Sequence, residues 1–93
     1  MIRRYVKMTF KEGNAEKFLS IFNENKNFIA NFEGCKSLKL LRSEKNPNEF
    51  TTDSIWEEES YLEKYRQSEL FRNVWGQVKP LFAEKAEAKT LHE

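Results

Sequence analysis

Apolar and polar side chains alternate at the start of the chain, which is the pattern of a half-buried β-strand. The apolar face of residues 2–10 consists of Ile2, Val6, Met8 and Phe10. The next four residues break the alternation and offer Asn14 as a helix cap. Apolar residues then recur at intervals of three and four, which predicts an amphipathic helix that runs to about Asn31. Its apolar stripe comprises Phe18, Ile21, Phe22, Phe28, Ile29 and Phe32.

A second alternating segment follows Gly34, which is a natural helix stop. Residues 35–42 predict a strand, and the turn-forming residues 44–48 separate it from a further strand over residues 50–56. One face of this third strand carries Phe50, Thr52, Ser54 and Trp56. The short connection predicts that the second and third strands form a hairpin.

The last third of the chain predicts two helices and a closing strand. Three glutamates at 57–59 place negative charge at a helix start, and Ser68 can cap the next helix. Pro80 lacks an amide hydrogen, so a kink or an end is expected there. Residues 86–91 give the weakest strand pattern, because alanine and charged residues dominate it. The inward stripe of the second helix consists of Leu70, Phe71, Val74, Trp75 and Val78.

The order strand, helix, strand, strand, helical segment, strand predicts one α+β domain over residues 1–93. A ferredoxin-like fold satisfies it most simply, with a four-stranded antiparallel sheet and helices on one face. The other face of the sheet is then bare. Its side chains are mixed in polarity, so the pattern alone does not require a dimer. They are Tyr5, Lys7, Lys39, Leu41, Asp53 and Ile55.

Composition and charge exclude several classes of protein. Sixteen basic and fifteen acidic residues leave a net charge of +1, which disfavours nucleic acid and anionic membrane surfaces as partners. An RNA-binding domain shares this element order, but residues 48–56 lack the glycine and exposed aromatics needed for base stacking. One cysteine, Cys35, and one histidine, His92, cannot form a disulfide or a metal-ligand cluster within one copy. Residues 1–12 lack the apolar run of a signal peptide, so a cytoplasmic protein without membrane attachment is expected.

A motif in the middle of the chain resembles the hallmark of the antibiotic biosynthesis monooxygenase family. It is the stretch from Ser54 to Glu57, Ser-Ile-Trp-Glu, followed by Tyr-Leu-Glu-Lys-Tyr-Arg-Gln-Ser-Glu-Leu-Phe at residues 61–71. The segments at 8–13, 32–35, 74–75 and 81–82 are similar to that family in order and spacing. The resemblance implies a homodimer whose two sheets face each other in an α/β barrel. It also implies a pocket in each subunit between its sheet and its helices.

The same family contains haem-degrading enzymes, and this sequence departs from their pattern. That branch has an asparagine on the first strand, a tryptophan at the end of the third and a haem-ligating histidine in the final helix. Trp56 matches the tryptophan, but Val6 stands near the asparagine position and Trp75 near the histidine position. Haem ligation of that kind is therefore not expected.

The resemblance implies a monooxygenase that oxidises a small quinol or polyphenolic aromatic substrate without metal, flavin or haem. Such chemistry needs an electron-rich substrate, a group that favours its ionised form and a cleft that excludes water. Candidate catalytic residues are Trp56, Tyr65, Asn73 and Arg66. Candidate substrate contacts are Val6, Met8, Leu40, Phe50, Ser54, Phe71 and Trp75, with Leu38 beside them.

A structural role competes at each of these positions. A thin core needs large side chains, so Trp56 and Trp75 are also expected as core aromatics. Tyr65 either ties its helix to the sheet or orients a substrate hydroxyl. Arg66 and Asn73 fall on helix surfaces, where solvated roles are common. The alternative hypothesis is a non-enzymatic dimeric module that binds a small aromatic ligand or only assembles. A cleft packed solid by aromatic rings favours the module, and an open aromatic pocket favours the enzyme.

Overall fold

Four strands form a single antiparallel sheet in the computed structural model, which describes all residues 1–93. The strands are β1 (Ile2–Thr9), β2 (Cys35–Arg42), β3 (Glu49–Trp56) and β4 (Glu87–His92). The sheet order is β2-β3-β1-β4, so the weakly patterned closing strand lies at an edge beside β1. The helices are α1 (Ala15–Ala30), α2 (Glu59–Arg66) and α3 (Glu69–Val78), and a 3-10 turn follows at Lys79–Leu81. The ferredoxin-like α+β prediction is confirmed.

The strand register determines which side chains face the helices. In the β1 to β3 ladder, Met8 pairs with Phe50, Val6 with Thr52, and Arg4 with Ser54. Directly paired residues in an antiparallel ladder project to the same face of the sheet. The alternation predicted for β3 is therefore correct, and the even-numbered residues of β1 share its helix-facing side.

Aromatic rings fill the layer between the sheet and the helices. Phe10, Phe50 and Trp56 are the largest fully buried side chains. The ring of Phe10, which directly follows β1, stacks on that of Phe18 in α1 with centroids 4.5 Å apart. The prediction for Phe28 is wrong, because that side chain is 66% exposed. At 3.6 residues per turn, Phe28 lies roughly 80° around α1 from Phe18, outside the stripe that meets the sheet.

Local hydrogen bonds define the helix starts. The Ser68 hydroxyl oxygen accepts from the amide of Phe71 at 3.1 Å, so Ser68 caps α3 as predicted. The Ser68 hydroxyl also donates to the carbonyl of Tyr65 at 2.6 Å, which joins the end of α2 to α3. Asn14 occupies the N-cap position of α1, but its side chain does not cap the helix. The side-chain amide Nδ2 instead donates to the Leu81 carbonyl at 3.3 Å. This contact holds the start of α1 against the turn after α3.

The reverse face of the sheet carries no helix. Charged pairs cross it, with Arg3 Nε 3.5 Å from Asp53 Oδ1 and Lys7 Nζ 3.5 Å from a carboxylate oxygen of Glu87. Leu41 and Leu91 lie among these charges and are about half exposed. No helix of the fold has the length and apolar character needed to cross a lipid bilayer.

Candidate functional site

A cavity of about 320 Å³ lies between the helix-facing side of the sheet and the helices. Fifteen of its 19 lining residues are hydrophobic. Strands β1 and β3 supply the floor, and α2 and α3 supply the opposite wall. The floor residues include Arg4, Val6, Met8, Thr52 and Ser54, and the wall residues include Leu62, Tyr65, Arg66, Phe71, Val74 and Trp75. Pockets of this size and polarity are typical of small-molecule sites.

Stacked aromatic rings form one side of the cavity. The rings of Trp56 and Tyr65 stack with centroids 5.1 Å apart and planes 27° apart. The rings of Tyr65 and Phe71 are nearly perpendicular with centroids 5.2 Å apart, and Phe71 stacks on Trp75 at 5.8 Å. The wall therefore offers flat apolar surface to a planar ring system, for which stacked and edge-to-face contacts are favourable.

A row of polar side chains crosses the floor at one end of the cavity. Arg4 pairs in register with Ser54 on β3 and with Thr90 on β4. Arg4 Nη1 donates to Thr90 Oγ1 at 2.7 Å, and Trp56 Nε1 donates to Ser54 Oγ at 3.0 Å. The next row toward the middle of the sheet is Ala88, Val6 and Thr52, which is mostly apolar. The cavity thus has one polar end and an apolar remainder.

The protonation state of Tyr65 follows from its burial. Burial, and to a lesser extent the neighbouring Cys35, raises the pKa of the Tyr65 phenol well above its ordinary value. Tyr65 is therefore a neutral phenol at physiological pH and can donate a hydrogen bond, but it cannot serve as a base. Burial also raises the pKa of the Cys35 thiol, so Cys35 is not an activated nucleophile.

Two arginines give the cavity a positive field. Burial and the charge of Arg66 lower the pKa of Arg4, and the carboxylate of Glu63 partly offsets this effect. Arg66 Nη1 lies 2.8 Å from Glu63 Oε1 on the exposed side of α2. Arg4 and Arg66 both line the cavity, whereas no aspartate, glutamate or histidine does. The site therefore contains two cations and no general base.

The structure brings most of the candidate residues together. Nine line the cavity, namely Val6, Met8, Leu38, Ser54, Trp56, Tyr65, Arg66, Phe71 and Trp75. Leu40, Phe50 and Asn73 do not. Phe50 is buried in the core cluster with Leu40 packed against that cluster, and the side chain of Asn73 is exposed on the outer face of α3.

Sequence reasoning missed the polar floor residue Arg4. The alternation itself could have found it, because Arg4 lies between Ile2 and Val6 on the helix-facing side of β1. A charged residue on an otherwise apolar face is an informative exception. Thr90 and Ala88 lie on the weakest predicted strand, and their place beside Arg4 and Val6 depends on the pairing of β4 with β1.

Comparison with family models gives one match. The model for the antibiotic biosynthesis monooxygenase domain matches residues 1–75, which include β1, α1, the β2 to β3 hairpin, α2 and most of α3. The chain belongs to the antibiotic biosynthesis monooxygenase family. No curated protein sequence matches it.

Solved structures of similar fold cover nearly the whole chain of this family member. A conserved protein from Methanosarcina mazei Go1 has a TM-score of 0.94 at 18% identity and covers 99% of this chain and 91% of its own. A structure described as an antibiotic biosynthesis monooxygenase has a TM-score of 0.93 at 14% identity and covers 100% of this chain and 98% of its own. A conserved protein from Bacteroides thetaiotaomicron has a TM-score of 0.87 at 20% identity and covers 97% of this chain and 94% of its own. At these identities the likeness concerns the fold.

Proposed function

We propose that the protein is a cofactor-independent monooxygenase that oxidises a small quinol or polyphenolic aromatic compound. The observation that supports this function is the open aromatic cavity between the sheet and the helices. A cleft packed solid by Trp56, Phe71 and Trp75 would have favoured a structural module. Membership of the monooxygenase family supports the same reaction class.

In this proposal the substrate ring lies along the wall of Trp56, Tyr65 and Phe71. The Tyr65 phenol and the Ser54 hydroxyl donate hydrogen bonds to the substrate oxygens. Ser54 Oγ already accepts from Trp56 Nε1, so the hydroxyl hydrogen is free to point elsewhere. The cationic groups at the polar end stabilise negative charge as the substrate gives up electrons, and the apolar lining excludes water.

The reaction balances without a further reductant. A quinol and dioxygen give a hydroxyquinone and water. One oxygen atom forms a bond to a ring carbon that loses its hydrogen, and the other leaves as water with two hydrogens from the substrate. The substrate loses four electrons and dioxygen gains four. The chain's residues bind and orient the substrate and stabilise its anionic form.

Replacing Trp56 with phenylalanine should slow the oxygen uptake supported by hydroquinones and anthrones. The variant keeps an aromatic ring but loses the indole donor that orients Ser54 Oγ. Misplacement of a positioned group lowers turnover by roughly tenfold to a hundredfold. An oxygen electrode measures the rate with purified, metal-free protein and a panel of such substrates.

Phe28→Leu is the matched control, because Phe28 is exposed on α1 and does not line the cavity. It should retain wild-type uptake. Wild-type rates equal to the uncatalysed rate for every substrate would contradict the proposed enzyme.

One observation favours the alternative of a non-enzymatic ligand-binding module. The cavity contains no base, so proton removal from a neutral quinol has no assigned acceptor. Under this alternative, redox-inert aromatic compounds bind in the cavity while quinols are never consumed. Calorimetric binding together with oxygen measurements separates the two functions.

We also propose that the reverse face of the sheet pairs with a second copy. Leu41 and Leu91 are exposed there, and Asp53 Oδ1 is buried without a hydrogen bond, although Arg3 Nε lies 3.5 Å away. A donor from a second copy would satisfy that oxygen. The resulting face-to-face sheets would leave each cavity under its own helices.

Leu41→Glu should weaken this dimer, because it replaces an exposed apolar side chain of the proposed interface with a charge that pairing would bury. A rise of about tenfold or more in the dimer dissociation constant is expected for a buried charge without a partner. Sedimentation equilibrium at several concentrations measures it. Phe28→Glu, on an exposed helix position, should leave the association unchanged. A wild-type chain that is monomeric at micromolar concentrations would refute the pairing.

A further inference from the structure

We propose that Arg4 and Arg66 form a carboxylate-binding site at the polar end of the cavity, so that the preferred ligand is an aromatic acid. This inference rests on the proposed function in placing an aromatic ligand in the same cavity, and it specifies the substrate class. The two residues come from different elements, β1 and α2, and line the same space.

Arg4 has most of its hydrogen-bonding capacity unused. A guanidinium group carries five N–H donors, and the chain provides Arg4 with one acceptor, Thr90 Oγ1. Arg4 forms no ion pair with any carboxylate of the chain, whereas Arg66 pairs with Glu63. The remaining donors of Arg4 are therefore available to a ligand at this end of the cavity.

The charge at this end is unbalanced. Arg4 and Arg66 contribute two positive charges, and Glu63 is the one carboxylate that acts on both of them. Placing a partly buried cation near a second cation is unfavourable unless an anion compensates it. Because the cavity lining includes no acidic residue, a negatively charged group on the ligand would balance the charge that Glu63 leaves uncompensated.

A carboxylate meets these requirements better than a phenol does. Carboxylic acids are ionised at neutral pH, whereas phenols have pKa values of about 10. A phenol therefore enters the cavity without a charge of its own, whereas a carboxylate brings a negative charge to the two arginines when it binds. The planar fork of a guanidinium also matches the two oxygens of a carboxylate. The ring of such a ligand would extend from the arginines over the apolar row of Val6 and Ala88 toward Phe71 and Trp75.

The test compares two redox-inert probes of nearly equal shape, naphthoate and naphthamide, by isothermal titration calorimetry. The wild-type protein should bind naphthoate more tightly. Hydrogen bonds to charged groups are strong enough that Arg4→Gln should weaken naphthoate binding by about tenfold to a hundredfold. Arg66→Gln should weaken it less, by about threefold, because Arg66 is exposed and partly neutralised by Glu63. Neither variant should change the affinity for naphthamide.

Arg72→Gln is the matched control, because Arg72 is an exposed helix arginine that donates to the Gln67 carbonyl and does not line the cavity. It should bind naphthoate like the wild type. Circular dichroism confirms folding of each variant. Should Arg4→Gln fail to fold, the surface variant Arg66→Gln still decides the outcome through its loss of naphthoate affinity alone.

Equal affinities of the wild type for naphthoate and naphthamide would overturn the carboxylate site. Arginine variants that lose affinity equally for both probes would overturn it as well. Failure of the enzymatic proposal looks different. In that case naphthoate binds through the two arginines, but no quinol or quinol carboxylate supports oxygen uptake.

Discussion

Gly34→Ala is expected to destabilise the fold by roughly 2–5 kcal/mol, a large part of the stability of a small domain. Gly34 has a φ of +85°, which is unfavourable for a residue with a Cβ atom. An added Cβ would also overlap the Cγ and Cβ atoms of Tyr61 on α2. Tyr61 packs on the cluster of Ile2, Trp56 and Leu62, so displacing it disturbs the cavity wall. Urea denaturation followed by circular dichroism measures the effect.

Two other glycines separate the cost of the backbone conformation from the cost of the contact with Tyr61. Gly13 has a φ of +87° but open space around its Cβ position, so Gly13→Ala should show the backbone cost alone, about 1–2 kcal/mol. Gly76 lies within α3 with open space, and Gly76→Ala should stabilise the chain by about 0.5–1 kcal/mol. Equal losses for Gly34→Ala and Gly13→Ala would show that the contact with Tyr61 carries no energetic cost.

Thr52→Phe is expected to abolish substrate oxidation by filling the cavity. Thr52 lies on the floor between Val6 and Leu40, and a benzyl group there would project into the space where the ring of a ligand would lie. The loss of cavity space should lower oxygen uptake by at least about a hundredfold, because the substrate can no longer bind in a reactive position. Stability should change little, since the new ring enters existing space.

Thr52→Val is the matched control for that variant. It removes the hydroxyl but keeps the shape of the side chain, so it should retain most of the activity. Activity in Thr52→Phe equal to that of the wild type would show that the chemistry occurs outside the cavity.

The sequence predicted the strands and helices because their signals are local. Alternation identifies Met8, Phe50 and Trp56 as residues of one apolar layer, and the register confirms it. Ser68 and Pro80 mark a helix start and a helix end through their own hydrogen-bonding chemistry. Phe28 shows what periodicity does not predict. The spacing of apolar residues identifies the buried face of a helix, but it does not say how far around the helix that face extends.

The cavity was only partly predictable. Trp56, Tyr65 and Arg66 could be identified as candidates from the family motif, and the structure places all three along the cavity. Whether their rings pack solid or leave space depends on the distance between α2, α3 and the sheet, which no local pattern encodes. The neighbourhood of Arg4 and Thr90 likewise depends on the edge pairing of β4, a contact between residues 86 positions apart.

Labelled dioxygen tests the central proposal of monooxygenation within this chain most directly. Metal-free wild-type protein is incubated with naphthohydroquinone under isotopically labelled dioxygen, and the products are analysed by mass spectrometry. One labelled oxygen atom in each hydroxyquinone and the other in water, formed faster than in the protein-free control, is the predicted result. Product oxygen that carries no label, or formation no faster than the control, would contradict it.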